Sequence, residues 1–284
     1  MEQNVINNVI SQLRQLIEVK KSLNKTATAL GVSSATLSKI TSGKIDDISD
    51  DMWRSLSAKL GVSTTGKKKW QVAVTTTYKQ LMFVLEQAQN ESIACAVTGD
   101  AGCGKTTTAT EYANTHAEVA LLTCAEFWNR KKFMISLLTA FGVDSDGMSV
   151  GEMMDAIVEK LKRTENPLII LDEADKLSDS ILYFFITLYN QLEDCCGIVL
   201  MATDFLKKRI EKGVRCCKKG YKEIYSRIGR KFILLPTASL EDVANACSAN
   251  NVEAEKDINR IWADASGDFR RVKRACWATL KKSA

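Results

Sequence analysis

Proline is nearly missing from this 284-residue chain, which has only 2, and its 15 glycines fall in no repeat. Collagen-like, proline-rich and low-complexity classes are thereby excluded. Histidine is scarcer still, with His116 alone, and none of the nine cysteines forms a C-x-x-C, so a zinc ribbon or finger is not expected. The cysteines include the adjacent pairs Cys195-Cys196 and Cys216-Cys217. They read as unpaired, buried thiols of a reducing compartment. No apolar run approaches the ~18 residues that span a bilayer, and the polar opening MEQNVINN is no signal peptide. The expectation is a cytoplasmic protein without a membrane partner. Its composition, 45% hydrophobic and 26% charged, is that of a globular protein, and its length suggests nearly two domains.

Charge is unevenly placed. The net value of +5 hides an acidic centre, net −10 over residues 71–206, followed by eleven basic against two acidic residues over 207–231. Segments 1–70 and 268–284 are each net +5. Segregation of this kind suggests a polyanion partner, with solvated basic faces as the alternative.

Residues 1–62 read as a self-contained helical unit. Val9, Leu13, Leu16 and Ile17 recur at helical spacing, the short segment Leu23–Leu30 follows, and the turn Gly31-Val32-Ser33 leads into a helix from Ser34 to Ser42. Ser33 or Ser34 serves as N-cap, and a further helix spans Asp50–Leu60. Two short helices joined by a three-residue turn resemble a helix-turn-helix of the phage-repressor type. The candidate DNA-contacting face holds Ser34, Ala35, Thr36, Ser38 and Lys39; the alternative is a protein-docking module. Residues 63–70 read as a linker.

Beyond the linker the period changes. Ile93–Thr98, Val119–Thr123, Leu168–Leu171, Ile198–Ala202 and Phe232–Leu235 are short, nearly continuous apolar runs separated by amphipathic helices. The fold class expected is α/β, a five-stranded parallel sheet with helices on both faces over residues 71–236. A small helical lid, 237–284, follows, and the all-α helix-turn-helix domain precedes it. Between the first strand and its helix, Gly99-Asp100-Ala101-Gly102-Cys103-Gly104-Lys105-Thr106 fits G-x-x-x-x-G-K-[ST] completely. The glycines let backbone N–H groups curl around phosphates at a helix N-terminus. Lys105 would neutralise phosphate charge, and the Thr106 hydroxyl would join a Mg²⁺ shell. The run Leu168-Ile-Ile-Leu-Asp172-Glu173 delivers Asp172 beside that loop to hold Mg²⁺ through water, with Glu173 placed to orient the attacking water. Ala174-Asp175 completes the letters DEAD, but the corresponding helicases need two such domains and residues 71–284 hold one. Asp175 reads instead as a helix-start charge.

Over residues 70–284 these motifs resemble the AAA+ ATPases. The resemblance implies that Thr203, ending the fourth strand, is a sensor of the γ-phosphate. It also implies that Arg227, in Tyr225-Ser-Arg-Ile228, is an arginine finger acting on a neighbouring subunit, with Arg230 as competitor. Arg270, in Gly267-Asp-Phe-Arg270, is then a second sensor touching nucleotide, and Thr107 extends the nucleotide-binding set. The stretch Tyr78–Thr107 resembles more narrowly the transposition ATPases of the phage Mu B type, related to the IstB-like and TnsC-like transposon ATPases. That resemblance implies ATP and Mg²⁺ as cofactors, and hydrolysis used as a switch. It further implies sequence-tolerant binding of duplex DNA, self-assembly into a filament or ring, and a transposase partner in a bacterial cell carrying a mobile element or prophage. The alternatives are a DnaC-like helicase loader, which shares the ATPase motifs, and a nucleotide-regulated helix-turn-helix transcription factor. Lys207, Lys208, Arg209, Lys212, Arg215, Lys218, Lys219 and Lys222, opposed locally only by Glu211 and Glu223, are the expected DNA path.

Overall fold

A computed structural model describes residues 3–63 and 70–283. The N-terminal unit packs α1 (Gln3–Lys20), α2 (Leu23–Ala29), α3 (Ser34–Thr41) and α4 (Asp50–Lys59) around Val9, Leu13, Leu37, Ile40, Trp53 and Leu56. Serine hydroxyls of Ser22, Ser33 and Ser49 cap the last three helices, satisfying N–H groups that have no partner within the helix. Of the linker expected at 63–70, residues 64–69 lie outside the described ones.

After α5 (Thr76–Asn90) the chain alternates: β1 (Ala94–Thr98), α6 (Lys105–Thr115), β2 (Val119–Thr123), α7 (Arg130–Ala140), α8 (Val150–Lys162) and β3 (Leu168–Asp172). A 3-10 turn at Ala174–Lys176 leads to α9 (Asp179–Leu192), β4 (Gly197–Ala202), α10 (Asp204–Arg215), α11 (Tyr221–Arg227) and β5 (Phe232–Leu234). The strands are all parallel, in the order β2-β3-β4-β1-β5. Strand alternation divides the core: Ile169, Leu171, Ile198 and Leu200 face Phe133, Leu137, Ile157 and Phe185, while Leu168, Ile170, Val199 and Met201 face Leu81, Leu85, Ala109 and Tyr112. Both faces are covered, which is why these strands read as unbroken apolar runs.

Helices α12 (Leu240–Ser248), α13 (Glu255–Ala265) and α14 (Phe269–Ser283) form the lid around Val243, Cys247, Ile261, Val272 and Cys276. The strap ahead of α5 is fastened to this lid rather than to the sheet. Gln71 N–H donates to Asn250 Oδ1 at 2.9 Å and Asn250 Nδ2 donates back to the Gln71 carbonyl at 3.0 Å. Asp242 accepts from the Thr76 N–H at 2.6 Å, and Lys273 lies over the rings of Trp70 and Trp277.

The basic segment 207–231 carries most of α10 and all of α11. Two expectations are revised. Asp175 lies in the 3-10 turn, where its carboxylate accepts the Thr203 hydroxyl at 3.2 Å. Six cysteines are buried, but Cys216 and Cys217 are exposed. Among the described residues no helix is long and apolar enough to cross a membrane.

Gly197 opens β4 where the backbone of α5 approaches most closely: a Cβ there would lie 2.1 Å from the Ala88 carbonyl oxygen. Backbone cannot step aside as a flexible side chain can. Gly197→Ala is expected to cost about 1–3 kcal/mol and lower Tm by about 2–12 °C in a thermal melt.

Candidate functional site

The phosphate loop is built by glycine geometry. Gly102 (φ +81°) and Gly104 (φ +101°) take left-handed backbone conformations, which turn successive N–H groups inward ahead of α6. Asp268 packs against the outside of the loop so closely that a Cβ on Gly102 would lie 2.0 Å from its Oδ1. Lys105 begins α6, and its ammonium donates to the carbonyls of Gly99 (2.7 Å) and Asp100 (2.9 Å). Ala101 is exposed at the loop's tip and Cys103 is buried beneath it.

Thr106 and Asp172 meet. The Thr106 hydroxyl donates to Asp172 Oδ2 at 2.6 Å, and the other carboxylate oxygen accepts the Glu173 N–H at 2.9 Å. Asp172 is 1% exposed. Burial pushes its carboxyl above the ordinary value, and the two hydrogen bonds offset only part of that shift. A hydroxyl and a buried carboxylate side by side are the hard oxygen donors that Mg²⁺ accepts. The pair therefore fits that ion: Thr106 would hold it directly and Asp172 through water, supplying positive charge to phosphate oxygens. Glu173 follows in a left-handed conformation (φ 54°, ψ 39°), uncommon for a residue with a Cβ. Its carboxylate pairs with Lys176 at 2.6 Å.

The remaining candidates are less concentrated. Thr203 caps α10 while donating to Asp175, which fixes its hydroxyl in the turn after β3. Arg227 does not approach the loop: it donates to Asn190 Oδ1 at 3.0 and 3.2 Å and lies over Tyr189. Arg230 is exposed with φ 56°. Arg270 is exposed on the first turn of α14. That turn is joined to the phosphate loop by the Phe269 N–H, which donates to the Gly102 carbonyl at 3.0 Å. On α3, Ser34 and Lys39 are exposed, the Ser33 hydroxyl is the cap and touches Thr36 Oγ1 at 2.7 Å, and Lys39 faces Asp47 at 3.7 Å.

One neighbourhood escaped sequence reasoning. Trp70, Val72 and Ala73 of the strap, Tyr78 of α5, Thr107 and Thr108 of α6, and Ala246 and Phe269 of the lid line a narrow cleft beside Gly104. It is mostly apolar and adjacent to the phosphate cradle. Only Thr107 and Phe269 lie within motifs read from the sequence; the others lie up to 176 positions apart, from Trp70 to Ala246, and no local signal marks them.

The basic segment also needs correction. Arg209 is not available to a polyanion. Its guanidinium donates to the carbonyls of Asp175 (3.1 Å) and Leu177 (2.7 Å), to the Tyr221 hydroxyl (3.1 Å) and to Asp179 (2.5 Å). Lys218 also pairs with Asp179, at 2.5 Å. The acid answering this segment comes from α9, thirty positions upstream of Arg209, and not from Glu211 and Glu223 alone. Lys208, Lys212 and Arg215 remain exposed at i, i+4 and i+7 on one face of α10, with Lys219 and Lys222 exposed beyond it and Lys207 half-buried.

Burial alone would raise the Asp179 carboxyl, but hydrogen bonds from Lys218, Tyr221 and Arg209 outweigh it and hold it well below the usual range. A depressed carboxyl contributes stability above its unfolded value, about 3.9, and loses that contribution as pH falls through the native value. Arg209→Gln is expected to lower Tm at pH 7 and to flatten the stability loss below about pH 4, read by thermal melts across pH. Lys208→Gln should change neither.

Residues 89–210 match the family described as AAA domain, and residues 10–66 match the family described as helix-turn-helix. The DNA transposition protein B of the Mu-like prophage FluMu of Haemophilus influenzae is 26% identical over 243 residues, 84% of this chain and 83% of that protein. The ATP-dependent target DNA activator B of Escherichia phage Mu is 26% identical over 266 residues, covering 90% and 82%. Its counterpart from Escherichia phage D108 is 26% identical over 277 residues, covering 93% and 85%. Among solved structures, NtrX from Brucella abortus in complex with ATP overlays with a TM-score of 0.48 at 12% identity, covering 84% of this chain and 57% of that one. A helix-turn-helix unit is thus followed by an AAA domain that holds a complete phosphate loop, in a chain that resembles the Mu-type transposition protein B along most of its length.

Proposed function

We propose that this protein is an ATPase of the bacterial cytoplasm that binds duplex target DNA, assembles on it as a filament or ring, and recruits or activates a transposase, with hydrolysis controlling disassembly. The observation that carries this reading is the junction of Thr106, Asp172 and Glu173 at the phosphate loop, in a chain resembling an ATP-dependent target DNA activator. Gly99 to Thr107 cradle the phosphates, Lys105 balances their charge, and Thr106 with Asp172 holds Mg²⁺. Glu173 orients the attacking water.

Phosphoryl transfer asks chiefly for position and charge. Among the described residues Arg227 turns to Asn190 and Tyr189 of α9, so its finger role is assigned to a neighbouring subunit's nucleotide, while Thr203 and Arg270 report the nucleotide's state. Making hydrolysis depend on a neighbour ties turnover to assembly, as a timer on DNA binding requires. DNA lies along Lys207, Lys208, Lys212, Arg215 and Lys219, with Lys218 at the edge of the path and a second contact through Ser34, Thr36 and Lys39 of α3.

Lys105→Ala is expected to abolish ATP binding. Glu173→Gln should bind ATP normally and lose turnover by about 10²-fold or more, because it acts on the water and not on the ground state. Equilibrium nucleotide binding and phosphate release measure the two separately, and normal turnover in Glu173→Gln would remove the assignment.

The variant Lys208→Gln/Lys212→Gln/Arg215→Gln is expected to bind unrelated duplexes equally weakly while keeping its ATP affinity and Tm. Its salt slope should fall by about 0.9 for each phosphate no longer neutralised. An unchanged slope in a binding titration would put the DNA path elsewhere.

A further inference from the structure

Phe127, in the connection between β2 and α7, is 82% exposed, above every other large apolar side chain among the described residues. The connection is not slack. The Trp128 N–H donates to the Ala125 carbonyl at 3.1 Å, Trp128 itself packs on the core, and Asn129 caps α7 by accepting the Lys132 N–H at 2.8 Å. The neighbours of Phe127 are thus fixed on both sides, and its ring is held out into solvent by a turn with little freedom to fold it back.

The first turn of α7 is just as poorly matched to the rest of the chain. Arg130, Lys131 and Lys132 fill it, no acidic residue accompanies them there, and all three are exposed. Cations at the positive end of a helix dipole oppose it and cost stability. Among the described residues none of the three joins an ion pair. Glu126, the acid beside them, is exposed and pairs with none of the three. An exposed aromatic ring next to three unanswered cations calls for a ligand with both a flat apolar interior and an anionic exterior. Duplex DNA has both; a protein surface would need an apolar pocket ringed by acids.

We propose that Phe127 is a wedge that enters between base steps of duplex DNA, with Arg130, Lys131 and Lys132 gripping the flanking phosphates. Apolar side chains inserted in this way unstack a step and kink the duplex, and the cost depends on how easily that step deforms rather than on base edges. Such a contact tolerates sequence while favouring flexible steps. It also lies beside the chemistry, because the Cys124 N–H donates to the carbonyl of Asp172 at 2.9 Å. The proposal rests on the duplex-binding reading above.

The test uses the full chain with ATP and duplexes carrying 2-aminopurine at successive positions. Wild type is expected to raise the fluorescence several-fold at unstacked steps. Phe127→Ala should lose that rise while its affinity falls only a few-fold and its salt slope is unchanged, and Phe127→Trp should retain the rise. Arg130→Gln/Lys131→Gln/Lys132→Gln should reduce the slope by about two to three. Wild type that binds duplex without any fluorescence change overturns the wedge and leaves duplex binding intact. Wild type that binds no duplex overturns both. Phe127→Ala that keeps the rise but sediments as smaller assemblies overturns the wedge and gives the surface to a second copy of the chain.

Discussion

The hydrogen bond from Thr106 to Asp172 has to reach across a strand. In the order β2-β3-β4-β1-β5, the phosphate loop leaves β1 and Asp172 ends β3, with β4 between them. The bond closes only if all three parallel strands hold their register, Leu171 opposite Leu200 and Val97 opposite Met201. The small residues at the carboxyl end of β4, Ala202 and the capping Thr203, leave room for the passage. A slip of one residue in any of the three would also exchange the two halves of the core. Site geometry and core packing are therefore one requirement.

The turn after β3 is secured from a second direction. Arg209 carries the constraint from α10 to the carbonyls of Asp175 and Leu177, and Thr203 adds the Asp175 carboxylate. Glu173 sits immediately before these anchors in a conformation that an isolated residue would avoid. The cap and second turn of one helix thus hold the segment that bears the water-orienting carboxylate. Charges that look in sequence like a footprint for an external anion are divided in space: one guanidinium serves the fold, and the outward stripe is left for a partner.

The strands were legible because each is buried on both faces, which leaves an unbroken apolar run. The phosphate loop was legible because its backbone geometry demands glycine at fixed spacing. Helix α10 was not, since its inward face is only Leu206, Ile210 and Gly213, set among seven charged residues that dominate any reading of the segment. Gly213 reads as a helix breaker but is required where the Tyr221 ring would lie 2.3 Å from a Cβ. The role of Arg209 was hidden because its partners are backbone carbonyls and an acid on another helix. The cleft of Trp70, Tyr78 and Phe269 exists only after the strap has crossed the lid.

That strap changes what the tether to the helix-turn-helix unit is attached to. With Gln71 bound to Asn250 at both its N–H and carbonyl, and Trp70 stacked under Lys273, the residues leading into α5 belong mechanically to the lid. The two hydrogen bonds act as a clamp of fixed length. A rotation of the lid about the sheet would be delivered to residue 70 as displacement, with no slack in the strap to absorb it.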